Sequence, residues 1–230
     1  MCNKFIPRVV IIVQTDVSVS RAPHSPSRVA MPNYSLWLEP TTSTYAPCAK
    51  FILDVAHRHA EAPYFPPHVT LVGGFHASDD EHATSIFSSA ALAFASSSSS
   101  SEDRRGPTIA FDRVECGERR YQCVYLRLRK TEAWRDNFAR ALEATCASPP
   151  GVRASEEDVD AFMPHLSLAY GLTSASDREE VRKEAEAMVA RERLDGEEIE
   201  FETMSLWETD VEDNSCASWR CVARRRVRGD

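Results

Sequence analysis

The pentapeptide Pro67-His68-Val69-Thr70-Leu71 returns almost unchanged as Pro164-His165-Leu166-Ser167-Leu168. Each copy reads Pro, His, aliphatic, hydroxyl, Leu. Imidazole is the side chain whose ordinary pKa lies nearest neutrality, so two of them can divide one reaction between a general base and a general acid. Hydroxyls can donate to an oxyanion whose charge grows in the transition state. The chemistry that fits is in-line attack at a compact, oxygen-rich centre such as phosphorus. Neither a metal nor a covalent intermediate is required. With seven histidines in a serine-rich chain, one His-x-Thr match is expected by accident and reads as a packed or solvent-facing histidine. The second copy, Pro and Leu included, makes the pair hard to dismiss.

The elements that must position these residues are strands. Both copies alternate apolar and polar positions behind a proline. Alternation puts His68 and Thr70 on one face, and His165 and Ser167 likewise, with Val69, Leu71, Leu166 and Leu168 turned the other way. Side by side, the two strands would bring two imidazoles and two hydroxyls into one cleft.

The surrounding chain alternates strands with helices. Tyr34 to Leu38 reads as a first strand, followed by a helix capped by Thr44 and running to about His59. His57 and His59 lie two apart on that helix, a poor spacing for a shared metal. Gly73-Gly74 marks the end of the first motif strand. Ser78 with Glu81, and later Ser176 with Glu179, read as capping boxes of two further helices. Thr108–Val114 and Tyr121–Arg129 form a hairpin, Thr131 opens a helix, and Glu156 to Asp160 reads as an acidic loop. Glu198–Trp207 and Cys216–Ala223 are closing strands. In both halves the motif strand precedes a helix. The fold expected is α+β: a bilobal, duplicated unit with two antiparallel sheets facing a central cleft and helices outside.

Composition sets limits. At 230 residues, 43% hydrophobic and 27% charged, the chain can bury a real core as one domain, residues 31–230. No apolar run approaches the ~20 residues of a membrane-spanning helix. A net charge of −8 argues against long nucleic acid as a partner, though not against a small anion. The basic clusters at Arg119-Arg120, Arg127 to Lys130 and Arg224 to Arg228 read as solvated strand ends and a charged tail. The cysteines form no Cys-x-x-Cys, so no zinc or redox motif is present and reduced thiols are the default. Cys116 and Cys123 flank a turn and could face each other, and Cys216 and Cys221 are the nearest pair in sequence. Residues 1–30 read as a disordered extension rather than a targeting segment, and the serines at 96–101 as a mobile connection.

At these residues the chain resembles the two-histidine (2H) phosphoesterase superfamily, and within it the plant and fungal cyclic phosphodiesterases. The resemblance rests on Tyr34-Ser35-Leu36-Trp37-Leu38-Glu39-Pro40, the two motifs with their Val72-Gly73-Gly74 and Ala169-Tyr170-Gly171 extensions, and Tyr121-Gln122-Cys123-Val124-Tyr125-Leu126. It spans about residues 31–224. It implies hydrolysis of 2′,3′-cyclic nucleotides to 2′-phosphates, and of ADP-ribose 1″,2″-cyclic phosphate, a tRNA-splicing by-product, to ADP-ribose 1″-phosphate. It implies no cofactor and no metal, His68 and His165 as the catalytic pair, and Thr70, Ser167 and Tyr170 at the substrate phosphate. His165 is assigned as base and His68 as acid. Tyr170 reads alternatively as a packed aromatic at a strand end. A monomer with a small-molecule cyclic phosphate substrate is expected, cytoplasmic or Golgi-associated as in fungal relatives. Two other readings stand beside this one: an RNA-end 2′–5′ ligase or 3′ exonuclease on the same scaffold, and a non-catalytic nucleotide-binding module.

Overall fold

The first strand, β1 (Asn33–Pro40), is the centre of the sheet and is nearly all buried. Tyr34, Leu36 and Leu38 alternate into the core, and Asn33, Ser35 and Trp37 turn to the opposite face, where they line a cleft. β1 pairs antiparallel with β2 (Val69–His76) on one side and β6 (Glu198–Glu208) on the other. The computed structural model describes residues 32–95, 106–146, 156–195 and 198–227. The expectations for residues 1–30 and 96–101 fall outside these, as does any inference from the N-terminal extension about location.

Between them run α1 (Thr42–Arg58), α2 (Asp80–Ala95), β3 (Thr108–Cys116), β4 (Val124–Leu128), α3 (Glu132–Cys146), α4 (Glu156–Ala161), β5 (His165–Ala169) and α5 (Ala175–Arg191), and β7 (Arg220–Arg226) closes the described chain. The α+β class and the antiparallel pairing are as expected. The two separate sheets are not. One seven-stranded sheet runs β1-β2-β5-β4-β3-β6-β7, and β1 also pairs with β6. Two thin joints make it one sheet. Val69 pairs with Leu166 to link the motif strands, and the first residues of β6 pair with the start of β3. β6 is long enough to serve β3 at one end and β1 at the other, so the predicted halves share a strand.

Helices cover the apolar side. α2 and α3 pack on each other, with Phe94 edge-on to Trp134, while α1 and α5 lie over β5, β4 and β3. Several helix starts differ from expectation. The cap of α1 is Thr41, and Thr44 is buried within the first turn. At α2 the side chain of Asp79, not Ser78, accepts the His82 backbone N–H at 2.8 Å. At α5 the cap is Ser174, which accepts the Asp177 N–H, and Ser176 only bonds the Ser174 hydroxyl. At α2 and α5 a neighbouring side-chain oxygen with cap geometry displaced the predicted one, while at α1 Thr41 holds the cap position without a side-chain cap bond. The acidic loop is helical over Glu156–Ala161.

Strand ends moved too. β2 continues through both glycines to His76, with register shifts that Gly74 permits by adopting a φ of 75°, a conformation open to glycine at little cost. The supposed basic tail is mostly strand β7, where Arg224 pairs with Glu39. Cys116 and Cys123 do not face each other. Cys116 is exposed, and the buried Cys123 thiol donates to the Arg120 carbonyl at 3.2 Å. Cys216 and Cys221 are likewise free thiols. Among the described residues, no helix is long and apolar enough to cross a membrane.

Candidate active site

The join between β2 and β5 is where the two motifs meet. Val69 and Leu166 face each other and are fully buried in the core. One position along on each strand, side chains turn to the other face. Antiparallel direction carries His68 toward Ser167 and His165 toward Thr70. The rings are close enough that a charge on His165 disfavours a charge on His68.

Both imidazoles are tied in the same way. His68 Nδ1 lies 2.6 Å from the Pro66 carbonyl, and His165 Nδ1 lies 2.9 Å from the Met163 carbonyl. A carbonyl oxygen can only accept, so Nδ1 is the protonated nitrogen in each ring. That leaves Nε2 of each as the atom able to take up or release a proton. Two residues before each histidine, a strand-leading segment presents its carbonyl back to the ring.

Their surroundings then differ. His68 is 3% exposed, and its pKa is pushed down to about 3 by burial, against the pull of the Pro66 carbonyl. Its ring lies flat on Trp37, centroids 3.6 Å apart and planes 7° apart, with Phe65 edge-on. His165 is half-buried; burial also lowers its pKa, and its ring meets the edge of Tyr125.

A cleft of about 530 Å³, counting the open space at its mouth, is lined by His68, Thr70 and Tyr170 together with Asn33, Ser35 and Trp37 of β1, and by Tyr121 and Trp219. The Ser167 hydroxyl is buried and donates to the Tyr121 carbonyl at 3.1 Å. Tyr170 is buried and stacked on Phe65 at 3.7 Å, yet it faces the cleft. Burial pushes its phenol well above the ordinary range, with the Ser167 hydroxyl acting in the opposite sense. Gly171 follows with a φ of 75°, and a side chain there would run into the Glu61 carbonyl. The chain turns sharply just past Tyr170 and holds it beside Ser167.

Residues 31–225 match the family model described as "Cyclic phosphodiesterase-like protein". The chain belongs to this family. It is 27% identical over 194 residues to the cyclic phosphodiesterase of Arabidopsis thaliana, covering 83% of this chain and 92% of that protein. It is 26% identical over 144 residues to the 2′,3′-cyclic-nucleotide 3′-phosphodiesterase of Eremothecium gossypii, covering 59% of this chain and 64% of that protein. Among solved structures, it is similar to E. coli LigT complexed with 3′-AMP, at 11% identity and a TM-score of 0.46 over 86% of this chain and 98% of that one.

Several cleft residues of this family member were not singled out by chemistry in the sequence. Ser35 and Trp37 lie in a segment read as a strand and as part of the family resemblance, with no role given to either, and Asn33 lies just before it. Ser35 and Thr209 share a hydroxyl–hydroxyl bond of 3.0 Å, and Asn33 donates to the Thr209 carbonyl at 3.0 Å. Thr209 follows β6 and reaches the cleft only because β6 pairs with β1. On the other side, Tyr125 and Arg127 of β4 stand opposite Ser167 and His165. Arg127 bonds Glu115 at 3.2 Å rather than lying free at a strand end.

Proposed function

We propose that the cleft hydrolyses 2′,3′-cyclic phosphates of nucleotides to the 2′-phosphate, and ADP-ribose 1″,2″-cyclic phosphate to ADP-ribose 1″-phosphate, by acid–base catalysis between His68 and His165 without a metal. The observation that carries this reading is the pair of matched Nδ1–carbonyl bonds. They leave two Nε2 atoms of one tautomer available on neighbouring strands. The family match and the names of the two relatives support the substrate class.

The five-membered cyclic phosphate is strained and its two non-bridging oxygens carry the charge. One imidazole removes a proton from the attacking water, and the other protonates the ribose oxygen that leaves. The base must begin neutral. Burial favours the neutral form of both rings, and of His68 the more, so in this reading His68 is the base, the reverse of the roles read from sequence. His165, less enclosed, is the acid, its cation favoured by the phosphate once bound. Thr70 and Tyr170 hydroxyls donate to the phosphate oxygens. Ser167 joins them by turning its proton from the Tyr121 carbonyl to the substrate. Aromatic rings of Tyr121 and Trp219 give the nucleoside an apolar wall.

The test is His68→Ala and His165→Ala, assayed separately on a 2′,3′-cyclic nucleotide with chelator present. Each should lose roughly 10²–10⁴-fold in rate. Wild-type rates in either variant, or dependence of the parent enzyme on a removable metal, would end the proposal.

A further inference from the structure

The β1 segment carries part of the family resemblance, yet nothing in the reaction above uses its Trp37. Its Trp37 lines the cleft but is only 2% exposed. Its accessible face is taken almost wholly by His68. The contact is a flat stack. Trp37 stands opposite Thr70 in the β1–β2 register and reaches diagonally to His68, two residues earlier and just ahead of β2.

Trp37 is itself held. Its other face is covered by Trp207, centroids 4.4 Å apart and planes 19° apart, and Trp219 meets its edge at 5.7 Å. Trp207 is fixed in turn by its indole N–H donating to the Ser205 hydroxyl at 3.0 Å. Beyond it, the Arg224 guanidinium lies 5.9 Å from the ring centre and pairs with Glu39 at 3.2 Å. A column therefore runs from the ion pair Glu39–Arg224 through two indoles to the imidazole.

We propose that Trp37 is a positioning residue for His68: it sets the plane of the imidazole while the Pro66 carbonyl fixes its rotation within that plane. A single hydrogen bond leaves a ring free to swing about it. The indole removes that freedom, so Nε2 has one direction. His165 has the carbonyl but no such plate, since Tyr125 meets it at 66°. The dependence on an aromatic neighbour is therefore specific to one of the two histidines. Misplacement of a proton-transfer group by a fraction of an ångström is costly, because orientation is a large part of the catalytic advantage.

The inference rests on His68 taking part in the reaction, so His68→Ala is the reference. Trp37→Leu and Trp37→Phe are compared with the parent for kcat, KM and the low-field NMR signal of the His68 Nδ1 proton. Trp37→Leu should lower kcat roughly ten- to a hundredfold with KM little changed. It should also broaden or remove the Nδ1–H signal as the ring is released and its proton exchanges with water. Trp37→Phe restores a flat partner and should recover most of kcat and the signal. Unchanged kcat and signal in Trp37→Leu would overturn the proposal, as would equal losses in Leu and Phe. Should Trp37→Leu fail to fold, Trp37→Phe decides alone: a sharp Nδ1–H signal with near-parent kcat supports the positioning role, and a lost signal overturns it. Full activity of His68→Ala would instead remove the acid–base reading itself.

Discussion

Burial of His68 should make the protein sensitive to acid in a measurable way. The imidazole pKa falls from 6.5 to about 3 on folding because the ring is enclosed by Trp37 and Phe65. Below pH 6.5 the unfolded chain takes up this proton and the native state does not. The unfolded state then binds more protons, so stability falls as pH falls, by about 1.4 kcal/mol per pH unit, until the native ring titrates. Between about pH 7 and about pH 4.5 the single residue costs the native state about 3 kcal/mol. His68→Asn removes the titration but keeps an amide that can donate to the Pro66 carbonyl. Urea unfolding followed by tryptophan fluorescence, for parent and variant near both pH values, isolates the effect. Carboxylates held low in the native state, such as Asp79 and Asp80, contribute their own acid loss equally to both proteins. The parent should lose about 3 kcal/mol more than the variant over that interval. An equal loss in both would show that the ring is not enclosed as described, and would remove the argument that makes His68 the base.

Two further outcomes follow from the turn after β5. Gly171→Ala forces a left-handed conformation on alanine and sets a Cβ 2.4 Å from the Glu61 carbonyl oxygen. It should cost about 2–4 kcal/mol and lower the melting temperature by roughly 5–15 °C in calorimetry; a melt within about 2 °C of the parent would contradict the close approach. Tyr170→Phe keeps the ring stacked on Phe65 at 3.7 Å and removes only the hydroxyl. The melting temperature should hold while kcat drops roughly 10- to 100-fold, and an unchanged kcat would leave Tyr170 as packing only.

The site was legible where chemistry and periodicity coincide. His68, Thr70, His165 and Ser167 declare themselves because reactive types recur inside a strand pattern, and alternation already says which neighbours face away. Helix bodies were equally plain, since Val181, Ala185, Met188 and Val189 of α5 repeat at helical spacing and are all buried. Helix starts were less so. Asp79 and Ser174 each compete with a nearby Ser, and only the backbone path decides which oxygen meets an N–H.

What the chain alone determined is local: two like strands, each with an imidazole and a hydroxyl on one face. Whether those strands touch is a matter of pairing between distant segments, and no local rule contains it. The Val69–Leu166 pair and the shared strand β6 made one sheet where two had been expected. The same long-range pairing brought Trp37 and Thr209 to the cleft, set Trp207 behind Trp37, and enclosed one histidine more than the other. Burial and stacking are properties of neighbours in space, so the difference between two near-identical pentapeptides could arise only from the tertiary structure.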